Sequence, residues 1–529
     1  MKLIPAIKTA ALAGALSFAL SGTALATTLH MFNGGEPASI DPHRVSGDWE
    51  NRIVGDSFEG LMTEDIGANP VLGQASDYTI SDDGLVYTFT IRDDAMWTDG
   101  TPVTAGDFEY AFKRLLNPDM AADYAYLQYL IAGAEDYNTG EGSADDVGIK
   151  VIDDKTIEFT LANPAPYFLD ALTHYTAYPV PQHVVEEFGE EWIDPENIVT
   201  NGPYTITEWV PNSHIKAVKN DDYYDAENVS IDDVMYYAMD DISAALQRYR
   251  AGEFDILTDF PTDQYQLLQD QYPGEAHVAP FLGLYYYVIN HNKEELSDPN
   301  VRNALSMAIN REVIGPDILG TGELPAYGWV PPGTASYGFD EYKPDWASMD
   351  YGARVAEAVS MMEEAGYSAD NPLNLQLKYN TNENHQRIAV AIAAMWEPLH
   401  VNVELFNSEV AVHYDALQNN DFDGVGRAGW LMDYNDAINM LELLRSDIIY
   451  NYGRYANDEF DAALRESATI TDPEARAEVL RNAEEIAMSE AAAFPIYYYV
   501  SKNVVSPKIE GFEDNAKDIH RTRWLTKSE

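Results

Sequence analysis

From Asp298 to Leu405 the chain alternates helix and strand, and this alternation narrows the possible folds more than any other feature. Asp298 caps a helix that has Pro299 at its first position, with Val301, Leu305, Ala308 and Ile309 as its buried stripe. Ala353–Ala365 is a second helix, apolar at Val355, Val359 and Met362 and ended by Gly366. Leu373, Leu375, Leu377 and Tyr379 alternate as a strand. His385–Trp396 reads as a helix and Val401–Leu405 as the next strand. Such βαβ alternation requires a sheet with helices packed on it, so the fold class expected is α/β. Helices over Asn457–Ala468 and Pro473–Ala487 and a strand over Phe494–Val500 follow.

The preceding part of the chain reads differently. Thr27–Phe32 is a strand, and a helical stretch runs from Gly47 to Phe58. Residues 59–184 form a separate unit: a half-buried strand over Leu85–Arg92, a helix start at Thr104 with Asp107 in capping-box position, and a hairpin over Ile149–Leu161. Asn197–Tyr204 returns to the first unit. Strands Tyr204–Val210 and His214–Val218, a helix over Asp241–Ala251 closed by Gly252, and a strand over Phe254–Leu257 follow. Tyr285–Asn290 crosses to the third unit.

The first 26 residues read as an export signal: Lys2 and Lys8, the apolar run Ala10–Leu20, and a small-residue cleavage site ending at Ala26. The apolar run is too short for a membrane span. Cysteine is absent, which excludes disulfides, thiolate metal sites and a lipoprotein's cysteine. A free periplasmic product, not inserted in a membrane, is expected. Acidic residues number 88 against 32 basic ones, for a net charge of −56. That coat repels nucleic acid and anionic membranes, and it suits a protein working in high salt.

Motifs for chemistry are mostly missing. There is no metalloprotease signature, nucleophile elbow or P-loop, and His183–Glu187 is one residue short of an inverted zinc motif. No metal, cofactor or enzymatic activity is expected. One segment stands out, from Gly424 to Asp436. Arg427, Trp430 and Asp433 place a cation, a large aromatic and an anion within seven residues. A short peptide, charged oppositely at its two ends, is the matching ligand. Read alone, Asp433 suits a turn or helix cap, Arg427 a buried ion pair, and His385 a helix N-terminal cap.

Several stretches together resemble the bacterial extracellular solute-binding proteins of the peptide/nickel family, above all its periplasmic oligopeptide binders. They are Ala95–Phe108 with Arg114, Glu36–His43, Asn197–Tyr204, Asp298–Arg311, Arg427–Tyr434 and Pro495–Val500. The resemblance implies a type II periplasmic-binding-protein-like fold with two hinged lobes and a third domain packed on the first. The expected boundaries are 27–58 with 185–286 and 501–529 for the first domain, 59–184 for the additional one, and 287–500 for the second lobe. It implies that Asp433 binds a ligand's α-amino group and that Arg427 neutralises a C-terminal carboxylate. His385 would do so for a longer ligand. Tyr124 and Trp430 would line the cleft, joined by Tyr285, Tyr287 and Tyr499 from the crossing strands. Where the family often has a cleft lysine this chain has Leu319; Leu417, Val410 and Ser46 replace an arginine, a tryptophan and a glutamate. The implied function is a monomeric binder of short peptides, of about two to five residues at micromolar affinity, that serves an inner-membrane ABC permease. Dipeptides, murein peptides or another solute of the family, and a secreted hydrolase, are the alternatives.

Overall fold

The computed structural model describes residues 26–239, 241–335, 337–338 and 341–528; the expected export signal lies outside them except for Ala26. Its centre is an eleven-stranded sheet. At one end Thr28–Gly34 lies parallel to Asp233–Ala238 and Ile256–Leu257, with His214–Lys219 and Tyr204–Val210 continuing outward as antiparallel neighbours. At the other end Leu373–Asn380 lies parallel to both Val401–Ser408 and Gly424–Leu431. Two long antiparallel strands, Ala276–Ile289 and Ala493–Val505, join the two ends.

The joining strands are apolar on both faces, so they are covered on both sides. Tyr285, Tyr287 and Ile289 enter one core with the helices over 299–307, 351–364 and 383–396. Leu284, Tyr286 and Val288 enter another with the helices over 458–467 and 473–489. Their ladder is interrupted between Pro280 and Leu284. Proline has no N–H to donate there, and Leu282 instead donates its N–H to the Ala516 carbonyl while accepting from Met432.

Residues 75–160 form a separate four-stranded antiparallel sheet in the order 75–80, 86–91, 156–160, 149–153. Thr104 and Asp107 close the expected capping box on the helix Ala105–Leu115. Phe108, Ala111, Phe112 and Leu115 of that helix share one core with the sheet and with the Thr28–Gly34 end of the large sheet. Two of the resembling stretches meet here. Arg114 donates to both Asp41 oxygens and reaches His43 Nδ1 at 2.8 Å.

Most expected elements are present within a few residues. The strand expected from Phe254 is only Ile256–Leu257, and the crossing strand begins at Ala276, nine residues before Tyr285. The strand Ala75–Ile80 and the helix Val410–Gln418 were not legible. Four of the six residues in Ala75–Ile80 are exposed, which leaves no apolar alternation to read.

Candidate functional site

Arg427 lies on Gly424–Leu431, the strand flanked by Ala276–Ile289 and Leu373–Asn380. It is only 8% exposed, yet among the described residues it meets no carboxylate. Its guanidinium donates to the hydroxyls of Tyr499 at 2.9 Å and Tyr414 at 3.0 Å and to Asn380 Oδ1 at 3.3 Å. It stands 4.8 Å over the ring of Tyr285, which stacks on Tyr497 at 4.6 Å. A buried guanidinium held by neutral hydroxyls and rings keeps an uncompensated charge. The ion-pair reading of Arg427 is therefore set aside, and the cation is available to an anion from outside.

Asp433 lies two residues beyond the strand. Its Oδ2 accepts from Asn439 Nδ2 at 3.2 Å and from the Tyr126 hydroxyl at 3.4 Å. Asn439 also holds the neighbours: its Oδ1 accepts from Trp430 Nε1 and from the Asp433 backbone N–H. Burial pushes the Asp433 carboxyl up to about 6, against the two hydrogen bonds that favour its charge. Capping of the next helix, Ala437–Leu441, falls to Asp436, which also pairs with buried Arg476 at 2.7 and 2.9 Å. Asp433 thus lies in the bend before that helix without capping it, and among the described residues no cation pairs with its carboxylate.

The two groups open into adjoining cavities. Asp433 lines one of about 290 Å³ with Tyr124, His174, Tyr175 and the segment 517–521. Arg427 lines one of about 400 Å³ with His385, Trp430, Tyr499, Leu319 and Glu323. Phe281 and Leu431 line both cavities, so the two adjoin in one cleft, with the Asp433 carboxylate in one part and the Arg427 guanidinium in the other.

The other expected site residues divide. Tyr124 stacks on Tyr126 and borders the Asp433 cavity, while Trp430 and Tyr499 border the Arg427 cavity. Tyr285 and Tyr287 do not reach the surface: both are 0% exposed, because the strand that carries them is covered on both faces. Tyr285 acts as the floor beneath Arg427, and Tyr287 belongs to the core. His385 borders the Arg427 cavity with its Nδ1 at 3.3 Å from the Tyr285 hydroxyl. Burial and the nearby Arg427 and His413 hold its imidazole down at about 3. It is uncharged at neutral pH, so it can offer a hydrogen bond but not a countercharge. The helix-cap role suggested for His385 belongs to Asn382, whose side chain accepts from the N–H groups of Asn384 and His385.

This geometry agrees with what the chain resembles. Residues 69–451 match the family described as bacterial extracellular solute-binding proteins, family 5. The chain belongs to that family. Among its family 5 relatives, the periplasmic oligopeptide-binding protein OppA of Escherichia coli K12 is 39% identical over 489 residues, covering 92% of this chain and 89% of that protein. The periplasmic murein peptide-binding protein MppA of the same strain is 36% identical, covering 93% and 92%. Among solved structures, the unliganded open form of the murein tripeptide-binding protein MppA superposes with a TM-score of 0.85 at 35% identity, covering 95% of this chain and 98% of the other. Haemophilus influenzae OppA in complex with RPPGFSPFR gives 0.78 at 34% identity, covering 95% and 99%. The fold is accordingly that of type II periplasmic binding proteins with several domains, and the family is one of binding proteins rather than enzymes.

Of the departures from the family pattern, Leu319 lines the Arg427 cavity, whereas Leu417 is fully buried in the core. Ser46 borders the Asp433 cavity, and the side chain of Val410 lies outside the described ones. Sequence reading did not find Tyr126, Tyr414, Asn439, Glu323 or Lys502. Asn439 is close in sequence but carries no motif, and the others lie on segments outside residues 424–436, with no local spacing to mark them.

Proposed function

We propose that the protein is the periplasmic substrate-binding component of a peptide ABC importer. It encloses short peptides between its lobes and hands them to an inner-membrane permease without turnover. The observation that carries this reading is the pair of uncompensated charges in the two parts of one cleft, Asp433 and Arg427. In this reading Asp433 takes the ligand's ammonium and Arg427 its carboxylate, both as charge-assisted hydrogen bonds in a water-poor site. Six residues of chain separate the two groups, which is at most roughly 20 Å in extended form. An extended ligand rises by a similar amount per residue. The ends therefore suit no more than about six residues, and fewer once both side chains reach inward. Trp430, Tyr499 and Tyr124 form the walls, and neutral His385 donates a hydrogen bond beside Arg427.

The relatives named for oligopeptide and murein peptide binding support this ligand class. We divide the chain into domains at 27–58 with 185–286 and 501–529, at 59–184, and at 287–500, a division that the two ends of the large sheet and the separate small sheet support. The ladder break at Pro280–Leu284 is a natural hinge. Export with cleavage near Ala26, an untethered product and a monomeric state complete the reading.

Calorimetry with a free tripeptide and tetrapeptide, their N-acetylated forms and their C-terminal amides tests it. Micromolar binding of the free peptides is expected, with a large loss on blocking either end. Equal binding of free and blocked peptides would remove both charges from the site.

A further inference from the structure

The Arg427 cavity contains a second charged group that the binding of peptide termini does not use. Glu323 is 9% exposed and lines that cavity beside Leu319, Tyr497 and Tyr499. Its Oε1 accepts from the Thr321 hydroxyl at 2.6 Å. Its Oε2 is buried and has no hydrogen-bond partner. Among the described residues neither oxygen meets a cation. A buried carboxylate with one oxygen unsatisfied is costly unless something supplies donors to it. Two lining residues could have done so and do not. Leu319 stands where the family pattern often has a lysine, and it brings no charge. Lys502 lines the same cavity, but its Nζ lies 3.7 Å from Asp259.

Tyr497, which lines the same cavity as Glu323, stacks on Tyr285 beneath the Arg427 guanidinium. One cavity of about 400 Å³ thus presents a cation and an anion that do not pair with each other. A ligand group entering it with a carboxylate and a positively charged side chain satisfies both.

We propose that Glu323 is the receptor for a cationic side chain on the ligand's last residue, so that the protein prefers peptides ending in lysine or another basic residue. This rests on the reading of the protein as a peptide binder whose Arg427 takes the C-terminal carboxylate. The carboxylate turns its unsatisfied oxygen towards the cavity as ligand enters, and the ammonium or guanidinium of the side chain donates to it while the Thr321 hydroxyl donates to the other oxygen. The acidic surface of the chain does not explain this carboxylate, because that surface is solvated and Glu323 is not.

The test uses ligand-free protein and calorimetry with Ala-Ala-Lys, Ala-Ala-norleucine and Ala-Ala-Ala, and with the tetrapeptides carrying one further alanine. Norleucine keeps the chain of lysine without its charge. Lysine-ended peptides are expected to bind 10- to 100-fold more tightly than norleucine-ended ones, which is about 1.4–2.8 kcal/mol. In Glu323→Gln the preference disappears, while the norleucine and alanine peptides bind within about twofold of wild type. Glutamine keeps the bond from Thr321, and an unchanged melting profile certifies the fold. Equal binding of lysine and norleucine peptides to wild type, or a preference that survives Glu323→Gln, overturns the proposal and leaves peptide binding standing. Failure of all six peptides to bind overturns the peptide reading itself, and the proposal with it.

Discussion

Tyr167 and Tyr434 stack with ring centroids 4.7 Å apart and planes 3° from parallel. Tyr434 is the residue after Asp433, and Tyr167 comes from the segment that forms the small antiparallel sheet and its surroundings. The next residue, Asn435, donates its N–H to Asp170 at 2.7 Å, and Asp170 also accepts from Lys517 Nζ at 2.6 Å. Three stretches remote in sequence therefore fix the loop that aims Asp433. An aromatic pair of this kind adds about 0.5–1.5 kcal/mol beyond its buried area. Tyr167→Ala should weaken binding of a free tripeptide by roughly 3- to 10-fold, although the residue touches no ligand. Calorimetry on the folded variant reads this directly. Unchanged affinity would mean that the loop is positioned without the stack.

Arg427 and His385 line the same cavity but differ in charge, and that difference separates their variants. Arg427 is the cation there, and Arg427→Gln should lower affinity at least 100-fold, which is about 3 kcal/mol for a charge-assisted pair in a dry site. A C-terminal amide on the ligand should then cost little more, because the interaction is already gone. His385 is neutral at pH 7, so His385→Gln should keep affinity within about fivefold, the scale of one neutral hydrogen bond. Similar losses for the two variants would show that the imidazole is charged when ligand is bound.

Gly429 sits between these groups. A Cβ there would stand 2.5 Å from the Tyr499 hydroxyl and 3.1 Å from Arg427 Nη2. The hydroxyl is at the end of a rigid ring, so the ring must turn away and release its bond to Arg427. Gly429→Ala should reduce peptide affinity by about tenfold, the value of one charge-assisted hydrogen bond, with little change in melting temperature. Retained affinity would mean that Arg427 does not need Tyr499 to hold its direction.

The sequence made legible what is local or periodic. The capping box at Thr104 and Asp107, the proline-started helix after Asp298 and the alternating strand Leu373–Asn380 each announce themselves within a few residues. The segment carrying Arg427, Trp430 and Asp433 was conspicuous for the same reason, since its three chemistries share one strand and its end. The contacts that give those residues their properties were not legible. Asn439 is six residues from Asp433, but Tyr126 is 307 residues away, and Tyr414 and Tyr499 reach Arg427 from two other elements. The tyrosines at 285 and 287 misled for a related reason. A strand covered on both faces looks like any aromatic run, and only the packing decides which rings border the cleft.

The raised pKa of Asp433 makes a prediction of definite sign. Its folded value of about 6 lies above the ordinary 3.8, so the folded protein holds that proton more readily than the unfolded chain does. The stabilisation is fully present at pH below 3.8. It is lost as pH rises through about 6, and the ionised group is a burden on the fold at neutral pH. A shift of this size corresponds to roughly 3 kcal/mol at most, and partial exposure of the side chain reduces it to about 1–2 kcal/mol. Asp433→Asn, which keeps the shape and can still accept from Asn439 and Tyr126, should therefore be more resistant to urea than wild type at pH 7.5, with the advantage shrinking towards pH 4. The same substitution should remove most peptide binding, because the ammonium loses its charged partner. In wild type, binding should be independent of pH above 7 and weaken by up to tenfold per unit below about 6. Capture of a ligand near pH 6 should release a proton, visible as a calorimetric enthalpy that depends on the buffer. An Asn variant no more stable than wild type at pH 7.5, together with binding heats that ignore the buffer at pH 6, would mean that the Asp433 carboxylate is well solvated and carries no special charge for a ligand to neutralise.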